Sequence, residues 1–349
     1  MKRDKGLDLV RCIACLFIIV FHFSIEEIGG HTFRTTLPTS NIDLGHIGVA
    51  LFFILSGASL YVSMEKYKDS SRGKKIATYI YKRFKGIFPA FWSAYLLIFL
   101  FTFIMKGGFD STIPKESIWM SLVGMDGLLL YLGPNFYMTG EWYIGAMIIV
   151  YLYYPFLKML IDKLPKLSLI IIPVLYIVFM VVYDFDLMFY RHPLAQILWI
   201  SFGIYFAKYV ILCKGLGSKL RWILFGVSVA VFVVFSLVPI EQFYFHATII
   251  NAMGIAMFFI LYNLAFVMKN KAVDKVVTTI SVYSYPIFLV HHAIIYALRD
   301  GFTDFTFNRA EYITCFVLYL VLIVPCAMVV KWIAKKFVEI IEMIPKRAC

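Results

Sequence analysis

Ten apolar stretches of about twenty residues, parted by short charged segments, constrain this chain more than any other feature. They cover 7–25, 45–63, 87–105, 141–158, 167–183, 193–213, 222–238, 246–268, 277–297 and 312–333. Each is long enough to cross the roughly 30 Å hydrocarbon core of a bilayer as a helix. In lipid every backbone polar group must be satisfied internally, so such stretches have to be helices. Composition agrees: 62% of the residues are hydrophobic and 15% charged, against roughly half and a quarter in a soluble domain. The expected fold is all-α, a polytopic membrane bundle of about ten transmembrane helices with both termini cytoplasmic.

The stretch 119–133 is apolar but short and is broken by Gly124, Asp126, Gly127, Gly133 and Pro134. It reads as a re-entrant or interfacial segment. Charge supports leaving it out of the span count. With ten spans and the N-terminus inside, 27 of the 33 Lys and Arg fall on the cytoplasmic side, as the positive-inside rule demands. The basic loop 64–86 is the heaviest, and Lys158, Lys163, Lys166, Lys214, Lys219, Arg221, Lys269, Lys271 and Lys275 follow in later inner loops. Only Arg34, Lys106, Lys115, Arg191, Arg299 and Arg309 lie outside. The net charge of +12 is therefore spread as topology charge, which argues against nucleic acid as a partner.

The first stretch follows Met-Lys-Arg-Asp-Lys and has no small-residue cleavage site after it, so it reads as a retained helix. Cys12, Cys15, Cys213, Cys315, Cys326 and Cys349 all fall in spans or at their cytoplasmic ends, where disulfides are not expected. Cys12 and Cys15 have C-x-x-C spacing on an apolar helix without a second pair, which points to packing and not to zinc. No metal is expected. Residues 1–349 read as one membrane domain without an appended soluble domain, placed multi-pass in the cytoplasmic (plasma) membrane. A homo-oligomer is compatible with this composition.

Ionisable residues inside spans are costly, and each is a functional candidate. The first span holds Asp8 and Arg11 near its inner end and His22 near its outer end. Eleven residues make about three turns, so Arg11 and His22 share a face and stand ~16 Å apart. Snorkelling of Arg11 with an i, i+3 partner in Asp8 is the plain alternative. His291 and His292 lie toward the outer end of the ninth span, His46 opens the second span there, and Glu141-Trp142 opens the fourth. Arg11, Arg83 and Lys85 gather at the opposite depth. A near-neutral imidazole suits a general base for a sugar or alcohol hydroxyl. Guanidinium and ammonium groups suit the phosphates of an anionic donor. His31, His192 and His246 fall in outer loops or at boundaries and read as solvated or interfacial. Ser56-Gly57 reads as close helix packing and not as a nucleophile. His292 points about 100° away from His291 and reads as structural.

At these residues the chain resembles acyltransferase family 3, integral-membrane O-acyltransferases that modify cell-surface glycans. The segment from Gly6 through Asp8 and Arg11 to His22 is similar to the family's opening Leu-Asp-x-x-Arg segment with its Arg-x10-His spacing. Phe52-Phe53-Ile-Leu-Ser56-Gly57 resembles its Phe-Phe-x-x-Ser-Gly motif, and Arg83-Phe-Lys85-Gly-Ile-Phe-Pro89 its basic turn before the third span. Tyr283-Ser284-Tyr285-Pro286-Ile-Phe-Leu-Val-His291 resembles the late Ser-Tyr-x-x-Tyr-x-x-His segment, and Trp142, Tyr151 and Pro155 keep a Trp…Tyr…Pro cadence. The chain departs from the pattern at Ala50, where many members have Asp, at Gly86, where many have Arg, and at Met147 and Ile148, where many have Glu.

The resemblance implies that His22 is the essential catalytic histidine; His291, which matches the late motif, and Glu141, the carboxylate nearest the fourth-span segment where many members have Glu, complete the candidate catalytic set. The resemblance further implies that Arg11 serves an acyl-CoA donor or positions the site and that Arg83 supports donor binding, with Lys85 a further donor candidate by its depth; Asp8, Ser56, Gly57, Trp142 and Tyr285 are the motif residues expected to support the site. Acyl-CoA, acetyl-CoA foremost and succinyl-CoA as the alternative, would be a substrate, with no cofactor held permanently. The acceptor would be an extracytoplasmic polysaccharide or lipid-linked glycan. The other reading is a transporter or flippase for such a glycan, which also suits intramembrane charges. Against it, no repeat is visible between the halves of the chain.

Overall fold

Hydropathy locates only the part of a helix that dissolves in lipid, and three helices of the computed structural model run well past those limits. It describes residues 3–37, 39–108, 113–133, 135–136, 141–213, 215–239 and 242–347, with side chains up to Met343. Pro134, Lys214 and Cys349 lie outside the described residues. The helices are α1 (Lys5–Ile25), α2 (Leu44–Glu65), α3 (Arg72–Met105), α4 (Ile118–Leu122), α5 (Trp142–Lys163), α6 (Pro165–Val181), α7 (Ile197–Phe206), α8 (Ser218–Leu237), α9 (Phe243–Val267), α10 (Lys271–Gly301) and α11 (Arg309–Arg347). Among the described residues, nine helical stretches are long and apolar enough to cross a membrane. The tenth expected span is α6, a 17-residue apolar helix at the lower limit for crossing. β-Structure is confined, among the described residues, to the isolated bridges Ile28–His31 and Thr36–Asp43.

The largest departures from the expected spans are α3 and α11. Their 34 and 39 residues correspond to ~51 and ~58 Å at 1.5 Å per residue, well beyond the hydrocarbon core. The surplus of α3 is its basic start, Arg72 to Lys85. Segment 119–133 holds only the five-residue α4 and one 3₁₀ turn at Leu130–Leu132, with a positive-φ Gly124 between them. Five residues rise about 7.5 Å, so this stretch is not a helical span.

The chain forms two compact units. The first comprises Met1–Ser24, Arg34–Asp69 and Leu152–Ser284. At its centre α2 packs on α7 and α9, and α8 on α9. Phe53 stacks on Trp199 with ring centroids 6.3 Å apart. Four residues further along both helices, Gly57 and Gly203 meet, so α2 and α7 run in the same direction. A Cβ on Gly57 would lie 2.2 Å from the Ile200 carbonyl oxygen, and one on Gly203 would lie 2.1 Å from that of Ile54. Backbone touches backbone there, as small residues permit between membrane helices. Gly254 on α9 closes the cluster: its Cβ would lie 2.6 Å from that of Ala50.

The second unit comprises Ile25–Phe33, Ser70–Tyr151 and Tyr285–Cys349. Here α3 packs along α11, with Trp92 edge-on to Phe337 and Lys85 paired to Glu342. Trp92 also donates from Nε1 to the Leu122 carbonyl at 2.9 Å, fastening α4 to α3.

The glycine crossing in the first unit is directly testable. Replacing Gly203 by Val should destabilise the purified protein by about 1–3 kcal/mol, the cost of overpacking a tight core. Gly226→Val, on α8 with open space around it, is the matched control. Equal melting temperatures for the two variants in the same detergent would contradict the backbone contact.

Candidate active site

On α1, Asp8 and Arg11 are one turn apart and both are held by other elements of the first unit. Asp8 is buried. It accepts from Arg3 Nε at 2.5 Å and from Ser281 Oγ at 2.9 Å. Arg11 Nη1 lies 3.8 Å from the same carboxylate, and the guanidinium reaches Ser281 Oγ and Ser59 Oγ, each at 3.4 Å. The expected i, i+3 pair therefore exists, but two serines from α2 and α10 hold Arg11 in place where snorkelling would leave it loose. His22 is three turns along α1, half-buried, with its ring edge-on to Phe21 at 5.0 Å.

Ser56 turns its hydroxyl back onto its own helix, donating to the Phe52 carbonyl at 2.8 Å. That bond ties it to the backbone, and Gly57 beside it seats α2 on α7. Tyr154 donates to the Gly57 carbonyl at 3.0 Å. Both residues serve packing, as their spacing suggests.

The second unit carries a column of polar groups. At one end the Arg83 guanidinium lies over two phenol rings, 5.5 Å from Tyr151 and 5.9 Å from Tyr79. Tyr79 donates to the Tyr151 carbonyl at 2.8 Å. One turn on, Tyr285 of α10 donates to the Ile87 carbonyl at 3.2 Å. At the other end Glu141, immediately before α5, is 4% exposed, and His291 is fully buried. Glu141 Oε1 lies 2.5 Å from His292 Nδ1 and 4.0 Å from His291 Nδ1. His291 Nδ1 donates to the Phe288 carbonyl at 2.5 Å. A carbonyl can only accept, so this bond keeps the His291 proton on Nδ1 and its lone pair on Nε2. A carboxylate acceptor does the same for His292. Trp142 opens α5 and meets Tyr143 edge-on.

The contacts fix the directions of these helices. On α3 and α10, Ile87 pairs with Tyr285, and the residues that follow on both helices, from Ala94 and from Val290, line one cavity, so the two run the same way. On α5, Tyr151 is at the Arg83 end and Glu141 at the imidazole end, so α5 runs oppositely. Ten residues of α5 separate the two ends by about 15 Å.

Two expectations change. His292, read from its angle as structural, is the histidine that bonds Glu141. A step of 100° leaves two adjacent imidazoles able to flank one carboxylate, and the signal in the sequence was the adjacent pair itself. Lys85 does not stand with Arg83: two positions make about 200°, and Lys85 lies exposed on the α11 side, 2.5 Å from Glu342. The departures have visible surroundings too. Ala50 is buried beside Gly254, whereas Gly86 faces open space.

The family model described as an acyltransferase domain, that of acyltransferase family 3, matches residues 4–332 of the chain. No curated protein and no solved structure matches it. The match takes in every candidate site residue, from Asp8 to His292. The chain belongs to acyltransferase family 3.

Proposed function

We propose that this membrane acyltransferase moves an acyl group, acetyl foremost, from cytoplasmic acyl-CoA to a hydroxyl of an extracytoplasmic polysaccharide or lipid-linked glycan. The observation that carries the reading is the polar column of the second unit. A half-buried guanidinium over two phenol rings stands at one end, and a carboxylate flanked by two imidazoles stands about 15 Å along α5 at the other. A cation suits the phosphates of a nucleotide-bearing thioester. Imidazoles with their lone pairs on Nε2 suit the reacting end.

His22, His291 and Glu141 are the proposed catalytic set, with His22 as base by its place in the family motif. The base takes the hydroxyl proton as the acceptor oxygen bonds to the thioester carbonyl carbon. The carbon–sulfur bond then breaks, and the proton passes to the departing CoA sulfur, leaving an ester and free CoA. Glu141 and His292 share a proton in this scheme and hold the imidazole pair in one orientation. Arg11 and Arg83 attend the donor.

The test is transfer of labelled acetyl from acetyl-CoA in proteoliposomes holding the full chain and a glycan acceptor. His22→Ala should lower the rate by about 10²-fold or more. A His22→Ala protein with full activity would sink the assignment of the base. Acceptor movement without a donor, unaffected by that substitution, would favour the transporter reading.

Two further substitutions separate the ends of the column. Glu141→Gln should lower kcat by about tenfold or more, because the amide cannot balance a charged imidazole, and leave the acyl-CoA KM unchanged. Arg83→Ala should raise the acyl-CoA KM by about tenfold. Lys85→Ala, which breaks an exposed pair with Glu342 and a contact with the Tyr81 ring, should raise it by no more than about twofold. Equal effects of the two on KM would contradict Arg83 as the principal donor cation of its segment.

A further inference from the structure

Beyond the imidazole pair, the second unit contains a cavity of about 490 Å³ between α3, α10 and α11. Its lining is apolar throughout, the Cys326 thiol being its most polar group. The space exists because small residues, Ala94, Ala293 and Ala297, stand where the neighbouring turns carry larger side chains, and because Pro325 and Cys326 face them from α11. Phe101 and Val329 on its rim are about half exposed, so it opens sideways on the apolar surface of the unit. A molecule resident in the membrane can enter without crossing water.

Position selects which substrate this cavity could take. On α10 it spans Val290 to Leu298, and on α3 it begins at Ala94, eleven residues and about 16 Å past Arg83. It therefore starts at the level of the histidines and extends away from the cation end. A donor anchored at Arg83 reaches the imidazoles from the other direction.

The helix is also two-faced over these turns. Taking His291 as zero and 100° per residue, Val290, Ala293, Ile294 and Ala297 lie between about −60° and −160° and face the cavity. His292, Tyr296 and Arg299 lie between about +80° and +140°. That second stripe is continuous: the Tyr296 ring stacks on His292 at 5.6 Å, and Arg299 lies 4.7 Å over the Tyr296 ring. Arg299 also pairs with Glu26 at 3.0 Å and with Asp300 at 3.0 Å. His291 and Leu298 stand on the border between the apolar face and the polar one.

We propose that the cavity lodges the hydrocarbon tail of a lipid-linked, hydroxyl-bearing acceptor. Its junction lies at the His291 border and its polar head along the His292–Tyr296–Arg299 stripe beside Glu141. Calling this molecule the acceptor rests on the acyl-transfer reading; the site for an alkyl chain with a hydroxylated head does not. An occupant whose tail fills the cavity and whose head reaches the stripe has to be amphiphilic, because the cavity offers nothing to a polar group and the stripe nothing to a tail. Bulk lipid would fill the groove too, but it would do so without saturating and without preference for a sugar head.

Photolabelling of the full chain in proteoliposomes distinguishes these cases. The probe is hexadecyl glucoside with a diazirine in its chain, compared with phosphatidylcholine carrying the same group in an acyl chain. The glucoside should label peptides 290–298 or 322–330, and excess unlabelled hexadecyl glucoside should suppress that labelling while free glucose does not. Ala297→Phe, which puts a ring into the cavity, should lower it by about tenfold. The competition experiment uses the unaltered protein, so the result does not depend on the variant folding. Labelling that cannot be competed, or that matches phosphatidylcholine in place and extent, overturns the site. Saturable labelling by a protein that transfers no acyl group leaves the site standing and removes the acyl-transfer reading. Transfer with labelling that cannot be competed does the reverse.

Discussion

A carboxylate with almost no exposure, set in an apolar helix bundle, must have its charge balanced or give it up. Glu141 is that group, and much of the second unit is arranged around it. It sits immediately before α5, where the free N–H groups of the first turn and the helix dipole favour an anion. The Ile144 N–H closes that turn by donating to the Glu141 carbonyl at 3.0 Å. Its side chain is bonded by His292 and neighboured by His291. Removing one partner from such a buried pair typically costs about 3–5 kcal/mol, so the position of α5 against α10 is tightly held. With that register set, Tyr151 comes under Arg83 and Tyr285 reaches the α3 backbone. The spacing between cation and imidazoles is thus a consequence of where one carboxylate can be accommodated.

The first unit rests on a different constraint, the contact of backbones. Gly57 and Gly203 let α2 and α7 approach until a single added methyl would strike a carbonyl oxygen. Ser59 on α2 and Ser281 on α10 reach Arg11 across that packed interior. α2, seated on α7 by those glycines, supplies one of the two serines that Arg11 meets.

Much of this was legible in the sequence, and the remainder was hidden for identifiable reasons. Apolar length located the helices because lipid is their solvent, and broken hydropathy with paired glycines kept 119–133 from being a span. Gly57 was legible as a packing residue because a glycine on an apolar helix lets a neighbour approach, while Ser56 beside it bonds the Phe52 carbonyl of its own helix. The extents of α3 and α11 were not legible, since a helix continues through charged residues in water with no hydropathic mark. Lys85 appeared close to Arg83 because proximity in sequence is not proximity around a helix. The Glu141–His292 bond joins residues 151 positions apart, and no spacing rule reaches that far. The 100° step from His291 to His292 describes one helix only and carries no mark of the carboxylate that approaches from α5.

The central claim is that these groups carry an acyl group from CoA onto a glycan. The most direct measurement is mass spectrometry of surface glycans from cells with and without the gene for this chain. One acyl ester, an acetyl ester foremost, should disappear when the gene is removed and return with the intact gene but not with His22→Ala. Glycans of unchanged acylation, or an ester restored in full by the His22→Ala chain, would contradict it.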